Sequence, residues 1–281
     1  MADRRKSRQR RPIEPGQVHG TGQLMPHHVH EILLVSSLYD SFTLSEDGKL
    51  SDLIMSEFLD ANLRHTPGVT QVSTGREALQ LARANPRFNL IITSLQVGDM
   101  DSLELARRVK ELRLNIPVIL LAYDNRELTQ FMAANDTSDL ERAFLWQGNA
   151  KILLGIVKYV EDRLNLSHDT GDVGVPAIIV VEDNVRYYSA FLPMLFTELM
   201  NHARDLIPDG LNLAHKIRRI RARPKILLCS TYEEAVSYFD RYPDDILGVI
   251  SDIEFPRGGE LSHTAGADLA RHVRSLREDV P

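Results

Sequence analysis

Ile246-Leu-Gly-Val-Ile-Ser-Asp252 and Ala177-Ile-Ile-Val-Val-Glu-Asp183 decide the fold of this 281-residue chain, because each is a short apolar run that ends in carboxylates. Such a run is typical of a buried parallel strand, whose last side chains lie at the carboxyl edge of a sheet. Open α/β sheets bind ligands at that edge. The sequence therefore predicts that Glu182, Asp183 and Asp252 meet in space.

Three carboxylates at one place need a counter-charge. Two unit charges about 4 Å apart repel by roughly 4 kcal/mol at an effective dielectric near 20. A hard cation such as Mg²⁺ removes this cost and prefers oxygen ligands. We therefore predict a Mg²⁺ site formed by Glu182, Asp183 and Asp252. The alternative is that these acids simply cap the helices that follow their strands.

Composition restricts the class of protein. A hydrophobic content of 43% with 26% charged residues is typical of a globular domain in water, and the length allows two domains. A net charge of −6 argues against nucleic acid as the main partner. The single cysteine, Cys229, lies in an apolar run and cannot form an internal disulfide, so we expect a buried thiol and a cytoplasmic location. We expect no membrane span, because no apolar run approaches about 20 residues.

Residues 30–165 alternate between strand-like and helix-like patterns. Thr74 followed by Glu77 forms a capping-box pattern that predicts a helix start. Five strands alternating with five helices indicate an α/β fold with a doubly wound parallel sheet. The predicted strands are 31–37, 68–73, 88–94, 116–122 and 142–146, and the predicted helices are 50–63, 74–82, 102–112, 127–135 and 150–165.

The remaining sequence repeats the same alternation. Residues 166–176 are polar, contain two glycines and a proline, and are predicted to be a linker. An insertion at about 205–224 contains a predicted helix, 211–222. The insertion's basic charges are expected to be solvated or to form a docking surface for an acidic partner or a neighbouring domain; they are Lys216, Arg218, Arg219, Arg221 and Arg223. The other predicted elements are strands from 177, at 225–230 and at 246–252, and helices 184–201, 232–241 and 267–277.

This second half resembles the receiver domain of two-component response regulators, a flavodoxin-like fold. The resemblance implies that Glu182 and Asp183 are the acidic pair that holds Mg²⁺ and that Asp252 is the phosphoacceptor. It further implies that the backbone carbonyl of Glu254 is a metal ligand, with Pro256 at the family's proline position. The implied partner is a histidine kinase or a phosphotransfer protein.

The first half also resembles a receiver domain, through Thr74-Gly-Arg-Glu-Ala-Leu79 and Asp99-Met-Asp-Ser-Leu-Glu-Leu-Ala106. It departs from the family at every chemical position. A serine hydroxyl is a poor phosphoryl acceptor without a base. The resemblance therefore implies a degenerate receiver that serves as a scaffold or interface. The departures are Ser36 and Ser37 for the acidic pair, Ser94 for the acceptor, Ala122 for the fourth-strand hydroxyl, Gln147 for the fifth-strand lysine and Gly148 for the proline after it.

The expected organisation is a disordered basic tail (1–29), a degenerate receiver (30–165), the linker (166–176) and a receiver (177–281). Pro281 corresponds to Pro117 before the fourth strand, so we expect the second receiver to be incomplete. An incomplete sheet would expose its third strand as an edge and favour self-association.

The leading hypothesis is a signalling module without catalytic activity of its own. The alternative is a purely structural module that regulates a downstream catalytic domain. Leu211-Asn-Leu-Ala-His-Lys-Ile217 and Lys225-Ile-Leu-Leu-Cys-Ser-Thr-Tyr-Glu-Glu-Ala235 resemble regulatory regions of large bacterial proteins with a pyruvate phosphate dikinase or phosphoenolpyruvate synthase-like domain.

Overall fold

The computed structural model describes residues 24–37, 66–205 and 221–281. The predicted helix 50–63 and most of the predicted basic helix 211–222 lie outside these ranges. The described chain forms two parallel sheets with helices packed on them, which confirms the predicted α/β class. Within the described ranges, every helix is too short or too polar to cross a bilayer.

The first sheet contains five parallel strands in the order β2-β1-β3-β6-β7. Among its five members this is the order 2-1-3-4-5 of flavodoxin-like sheets. A short antiparallel hairpin, β4–β5, follows β3. The strands are β1 (Glu31–Val35), β2 (Gly68–Val72), β3 (Phe88–Thr93), β4 (Gln96–Val97), β5 (Met100–Asp101), β6 (Val118–Ala122) and β7 (Arg142–Leu145).

Helices connect these strands, and the first three begin at side-chain caps that the sequence supplies. Thr74 accepts a hydrogen bond from the amide of Glu77, which confirms the predicted helix start. Asp101 and Asp124 cap the next two helices in the same way. The helices are α1 (Gly75–Ala84), α2 (Ser102–Glu111), α3 (Asn125–Ala134) and α4 (Lys151–Leu166).

The second sheet repeats the beginning of the first. Its three parallel strands have the order β10-β8-β9, so the first strand in sequence is again central. An antiparallel hairpin, β11–β12, follows its third strand, as β4–β5 follows β3. The elements are β8 (Ala177–Val181), α5 (Val185–Asp205), β9 (Lys225–Cys229), α6 (Tyr232–Arg241), β10 (Ile246–Ser251), β11 (Phe255–Arg257), β12 (Glu260–Ser262) and α7 (Ala265–Leu276).

One hydrophobic core joins the two halves. Helix α4 packs against both α5 and β9, so it is buried on nearly all sides. Phe144 and Val157 from the first half share a cluster with Phe196 and Leu228 from the second. The halves therefore form a continuous body with α4 at its centre.

The segment 166–176, predicted as a linker, is partly helical and buried. Residues Ser167–Asp172 continue α4 as a π-helix, and the side chain of Asp169 is fully buried. Lys225, also fully buried, places its Nζ 2.7 Å from the Asp169 carboxylate. The polar residues of this segment were predicted to be solvated, but Asp169 among them forms a buried ion pair.

Arg223 is a second correction. The sequence placed it among the insertion's solvated or docking charges, yet it is 3% exposed. Its guanidinium donates two hydrogen bonds, of 2.8 and 2.9 Å, to Asp162 on α4. The amide of Ile226 donates to the same carboxylate at 2.9 Å. Arg223 therefore anchors the start of β9 to α4.

Residues 24–29, placed by the sequence in a disordered tail, pack along α4. The amide of Met25 donates to Asp169 and that of Val29 to Glu161, and both donor residues are buried. Burial alone would raise the pKa of Glu161. The Lys158 ammonium and a hydrogen bond from His28 outweigh burial and lower that pKa to about 2. Acidic side chains of α4 and of the π-helix that continues it thus hold this segment through its backbone amides.

Strand β10 has an exposed apolar surface. Leu247 and Ile250 on the strand are 48% and 55% exposed, and Ile253 just beyond it is 68% exposed. The amide of Val249 donates to the carbonyl of Pro281 at 3.1 Å. The first sheet has the equivalent bond, from Ile91 to Pro117 at 3.0 Å, before β6 begins.

Candidate metal centre

Strand β8 delivers the acidic pair to the carboxyl edge of the second sheet. It is central in the sheet, with β9 and β10 on its two sides. Its last residue, Val181, is buried, and Glu182 and Asp183 follow directly and are partly buried. The apolar run thus ends where the sheet ends, which leaves the two carboxylates at its edge.

Asp252 occupies the neighbouring position at the end of β10. Its amide donates to the carbonyl of Val181 at 3.0 Å, which extends the β8–β10 pairing by one residue. One carboxylate oxygen from each of Glu182, Asp183 and Asp252 lies within 4.8 Å of the others. The structure therefore brings together the three residues predicted from separate parts of the chain.

The electrostatics of the cluster disfavour three full negative charges. Burial raises the pKa of Glu182, and the Asp252 and Asp183 carboxylates raise it further, against a lowering hydrogen bond from the Asn184 amide. Burial likewise raises the pKa of Asp183, with an added contribution from Asp252. Mutual repulsion thus accompanies the clustering in the absence of a cation.

The donor set fits a hard divalent cation. None of the three carboxylates forms an ion pair with any residue in the described ranges. Backbone amides contact two of them: Asn184 donates to Glu182 at 2.9 Å, and Ile253 donates to Asp252 at 2.6 Å. Uncompensated, solvent-accessible carboxylate oxygens are the ligands that Mg²⁺ prefers.

Glu254, predicted to supply a backbone carbonyl ligand, lies two residues beyond Asp252 in the bend before β11. Its side chain is exposed, and its Oε2 lies 2.9 Å from Nδ1 of His263. The role of the Glu254 carbonyl stays a prediction.

Gly266 is a site residue that the sequence reasoning missed. A Cβ at this position would lie 2.5 Å from the Asp252 carbonyl oxygen and 3.0 Å from the Cα of Ile253. The Gly266 amide also donates to the carbonyl of Ile253 at 3.0 Å. Only glycine lets the start of α7 lie this close to the Asp252 backbone. The predicted helix began at 267, so Gly266 was assigned to the loop before it, where a glycine attracts no attention; in the structure it lies in the first turn of α7, where glycine is otherwise unfavourable.

The first sheet has serines at the equivalent positions. The Ser94 amide donates to Val35 at the end of β1, as Asp252 donates to Val181. The Ser36 amide donates to the carbonyl of Val72 at the end of β2, as the Glu182 amide donates to the carbonyl of Cys229 at the end of β9. Both serines are almost fully buried. The fold is therefore retained in the first half, whereas its carboxylates are absent at these positions.

Other predicted positions of the first half also have structural roles. Ala122 is fully buried at the end of β6. Gln147 donates through Nε2 to the carbonyl of Arg186 on α5 at 2.8 Å. Ser37 lies just beyond β1 and is half-buried, and Gly148 adopts a φ of 75°. Gln147 thus contacts the helix that follows the acidic pair.

Helix α5 connects the cluster to the first half. It begins two residues after Asp183 and covers the outer edge of β7. The hydroxyl of Tyr188 donates to the carbonyl of Ala143 at 2.5 Å, and Ser189 accepts from the amide of Leu145 at 3.0 Å. Side chains of α5 thereby satisfy backbone groups that an edge strand would otherwise expose.

Comparison with known proteins gave matches among solved structures alone: neither a protein-family model nor a curated protein matches the chain. A signal receiver domain of an HD domain-containing protein from Pseudomonas fluorescens Pf-5 is 21% identical, with a TM-score of 0.35, over 51% of this chain and 98% of that one. The phosphorylated cyanobacterial phytochrome response regulator RcpA is 26% identical, with a TM-score of 0.35, over 50% and 96%. The response regulator TrrA from Thermotoga maritima, solved with Mg²⁺–BeF, is 16% identical, with a TM-score of 0.33, over 46% and 96%. Each likeness spans about half of this chain.

Proposed function

We propose that the second half of the chain is a Mg²⁺-dependent phosphoacceptor module of two-component signalling. The observation that carries the proposal is the convergence of Glu182, Asp183 and Asp252, whose carboxylate oxygens lie within 4.8 Å of one another. Asp252 is the exposed member of the cluster, so a donor protein can reach it. The proposed donor is a histidine kinase or a phosphotransfer protein.

The proposed reaction uses Asp252 as a nucleophile. An oxygen of its carboxylate forms a bond to phosphorus while the bond from phosphorus to the donor's histidine nitrogen breaks, and the imidazole leaves. Phosphoryl transfer depends mainly on positioning and on neutralising charge. Glu182, Asp183 and Asp252 would hold Mg²⁺, which supplies that neutralisation when bound. The hydrogen bond from the Ile253 amide orients the acceptor carboxylate.

The first half serves in this proposal as a scaffold that cannot be phosphorylated. Ser36 and Ser94 replace the carboxylates, and neither can neutralise a divalent cation as an acid does. Through the hydrogen bonds of Tyr188 and Ser189 to β7, α5 is in direct contact with the first half. A change at the cluster would therefore be transmitted to the interface between the halves.

We also propose that the surface of β10 mediates self-association with a second copy. Leu247 and Ile250 on the edge strand β10, and Ile253 just beyond its end, are exposed apolar side chains near the acidic cluster. Exposed apolar strand edges favour pairing with another chain. Light scattering of the full chain should show dimers, and Ile250→Lys should shift them to monomers. A wild-type protein that stays monomeric at high concentration contradicts this part of the proposal.

The phosphoacceptor proposal is tested by treating the full chain with a small acyl phosphate donor and Mg²⁺. Intact mass spectrometry should detect a single added phosphoryl group, and peptide mapping should place it on Asp252. The adduct should be absent in Asp252→Asn and when Mg²⁺ is removed by a chelator. The variant Ser94→Ala, at the equivalent position of the first half, should be labelled like the wild type. Labelling that persists in Asp252→Asn would reject the proposal.

A further inference from the structure

A groove between α1 and α2 lies on the first half, outside the acidic cluster. It encloses a volume of about 470 Å³. One stripe of each helix lines it, because the lining residues of α1 fall at positions i, i+3, i+4 and i+7, and those of α2 at i, i+1, i+4 and i+5. The lining residues are Arg76, Leu79, Gln80 and Arg83 from α1, and Arg107, Arg108, Glu111 and Leu112 from α2 and its C-cap.

This α1–α2 groove is strongly basic in a chain of net charge −6. Four arginines and a single glutamate line it. Arg107 lies 4.0 Å from Glu111, and Arg108 pairs with an acid on its own helix, so both have a weak exposed ion pair. Arg76 and Arg83 form no ion pair with any residue that the structure describes.

The spacing and chemistry of the groove define a ligand. Arg76 and Arg83 are seven residues apart on α1, which separates them by about 10 Å along the helix axis. Guanidinium groups recognise carboxylates through paired hydrogen bonds. Leu79 is buried at the base of the groove, and Leu112 is 39% exposed at its rim, so an apolar side chain also finds a contact.

We propose that the α1–α2 groove binds an acidic peptide segment of a partner protein, with carboxylates about 10 Å apart and an apolar residue between them. The groove has no aromatic lining residue on which bases could stack, which favours an acidic peptide over single-stranded nucleic acid. The degenerate half thereby gains a recruiting role that is independent of phosphorylation at Asp252.

The test is fluorescence anisotropy of the full chain with a labelled 12-residue peptide of four Glu-Leu-Ser repeats, whose successive glutamates lie about 10 Å apart when the peptide is extended. We expect saturable binding that weakens as the salt concentration rises. The double variant Arg76→Glu/Arg83→Glu should lose at least tenfold in affinity. The matched control is Arg271→Glu/Arg274→Glu, which makes the same change of charge on the exposed face of α7. It should bind within twofold of the wild type.

Three outcomes would overturn the proposal. The first is no binding of the peptide at low salt. The second is an equal loss in the Arg76/Arg83 and Arg271/Arg274 variants, which would indicate attraction to net charge alone. The third is a competition result in which a single-stranded oligonucleotide or inorganic phosphate displaces the labelled peptide at a lower concentration than the unlabelled peptide does. Asp252→Asn should leave peptide binding unchanged, which separates this test from that of the phosphoacceptor.

Discussion

Replacing Asp252 by asparagine should stabilise the protein when divalent cations are absent. Asparagine keeps the shape of the side chain, and its Oδ1 can still accept from the amide of Ile253. It removes one of three negative charges whose oxygens lie within 4.8 Å of one another. Most substitutions destabilise a protein, so the sign of this effect is diagnostic.

The magnitude follows from Coulomb's law with strong solvent screening, because Asp252 is exposed. At the observed limit of 4.8 Å, each pair of charges repels by about 1 kcal/mol in water. Asp252 takes part in two such pairs, so its neutralisation should stabilise the folded state by about 1–2 kcal/mol. For 150–250 residues, each kcal/mol corresponds to about 2–4 °C in Tm.

The assay is thermal unfolding of wild type and Asp252→Asn, each with a chelator and with Mg²⁺. In chelator, the variant should unfold at the higher temperature. At ten times its Kd, Mg²⁺ should stabilise the wild type by about 1.4 kcal/mol and the variant much less. The difference in Tm between the two proteins should therefore become smaller or change sign. A variant that is less stable in chelator, or that gains as much from Mg²⁺ as the wild type, would refute the reasoning.

The same repulsion predicts the pH dependence. The folded-state pKa values of Glu182 and Asp183 are raised from their ordinary values of 4.5 and 3.8. A carboxyl whose pKa is raised by folding destabilises the folded state as it ionises. The penalty is therefore absent below pH 3.8 and grows as the pH rises through the raised values. The stability advantage of Asp252→Asn should grow over the same range.

Three further substitutions probe the frame around the site. Gly266→Ala should displace the Asp252 backbone, which costs about 1–3 kcal/mol of stability by urea unfolding and weakens Mg²⁺ binding. Arg223→Met should cost about 3–5 kcal/mol by urea unfolding, because the buried carboxylates of Asp162 and Asp169 would then share the one ammonium of Lys225. The wild type should lose about 3 kcal/mol of stability as the pH falls from 4.5 to about 2, because the Glu161 carboxylate becomes protonated. Glu161→Gln should lack this loss when urea unfolding is measured at each pH.

The substitutions at Gly266 and Arg223 each have a matched control variant. Gly171→Ala places a Cβ at an ordinary 3.5 Å contact and should be nearly neutral, unlike the change at 266. Arg163→Met breaks a half-exposed pair on the same helix as Asp162 and should cost less than about 1 kcal/mol. Equal costs within either pair would contradict the packing or burial argument. A stability curve for Glu161→Gln that parallels the wild type between pH 4.5 and 2 would contradict the assigned pKa.

Local patterns predicted most of the described elements because their causes are local. The apolar period, the Thr74 cap and the strand-ending acids are all visible within a few residues. Helix α6 was predicted at 232–241 and is observed at Tyr232–Arg241. The meeting of Glu182 and Asp252 could also be predicted, since parallel strands place their carboxyl ends at one edge.

The errors occurred where the partner is distant in sequence. Asp169 and Arg223 are polar, and polarity alone predicts solvent exposure. Their partners, Lys225 and Asp162, lie 56 and 61 residues away, and no local pattern reports such a pair. Gly266 was missed for a similar reason, because the atoms that exclude its Cβ belong to the backbone beside Asp252.

Mg²⁺ titration by isothermal calorimetry tests the central claim most directly. The full chain should bind one ion in the millimolar range, and both Asp252→Asn and Asp183→Asn should abolish that binding, whereas Ser94→Ala should leave it intact. Two results would show that these carboxylates do not form a metal site. One is a wild-type protein that gives no heat of binding, and the other is binding that is unchanged in both Asp252→Asn and Asp183→Asn.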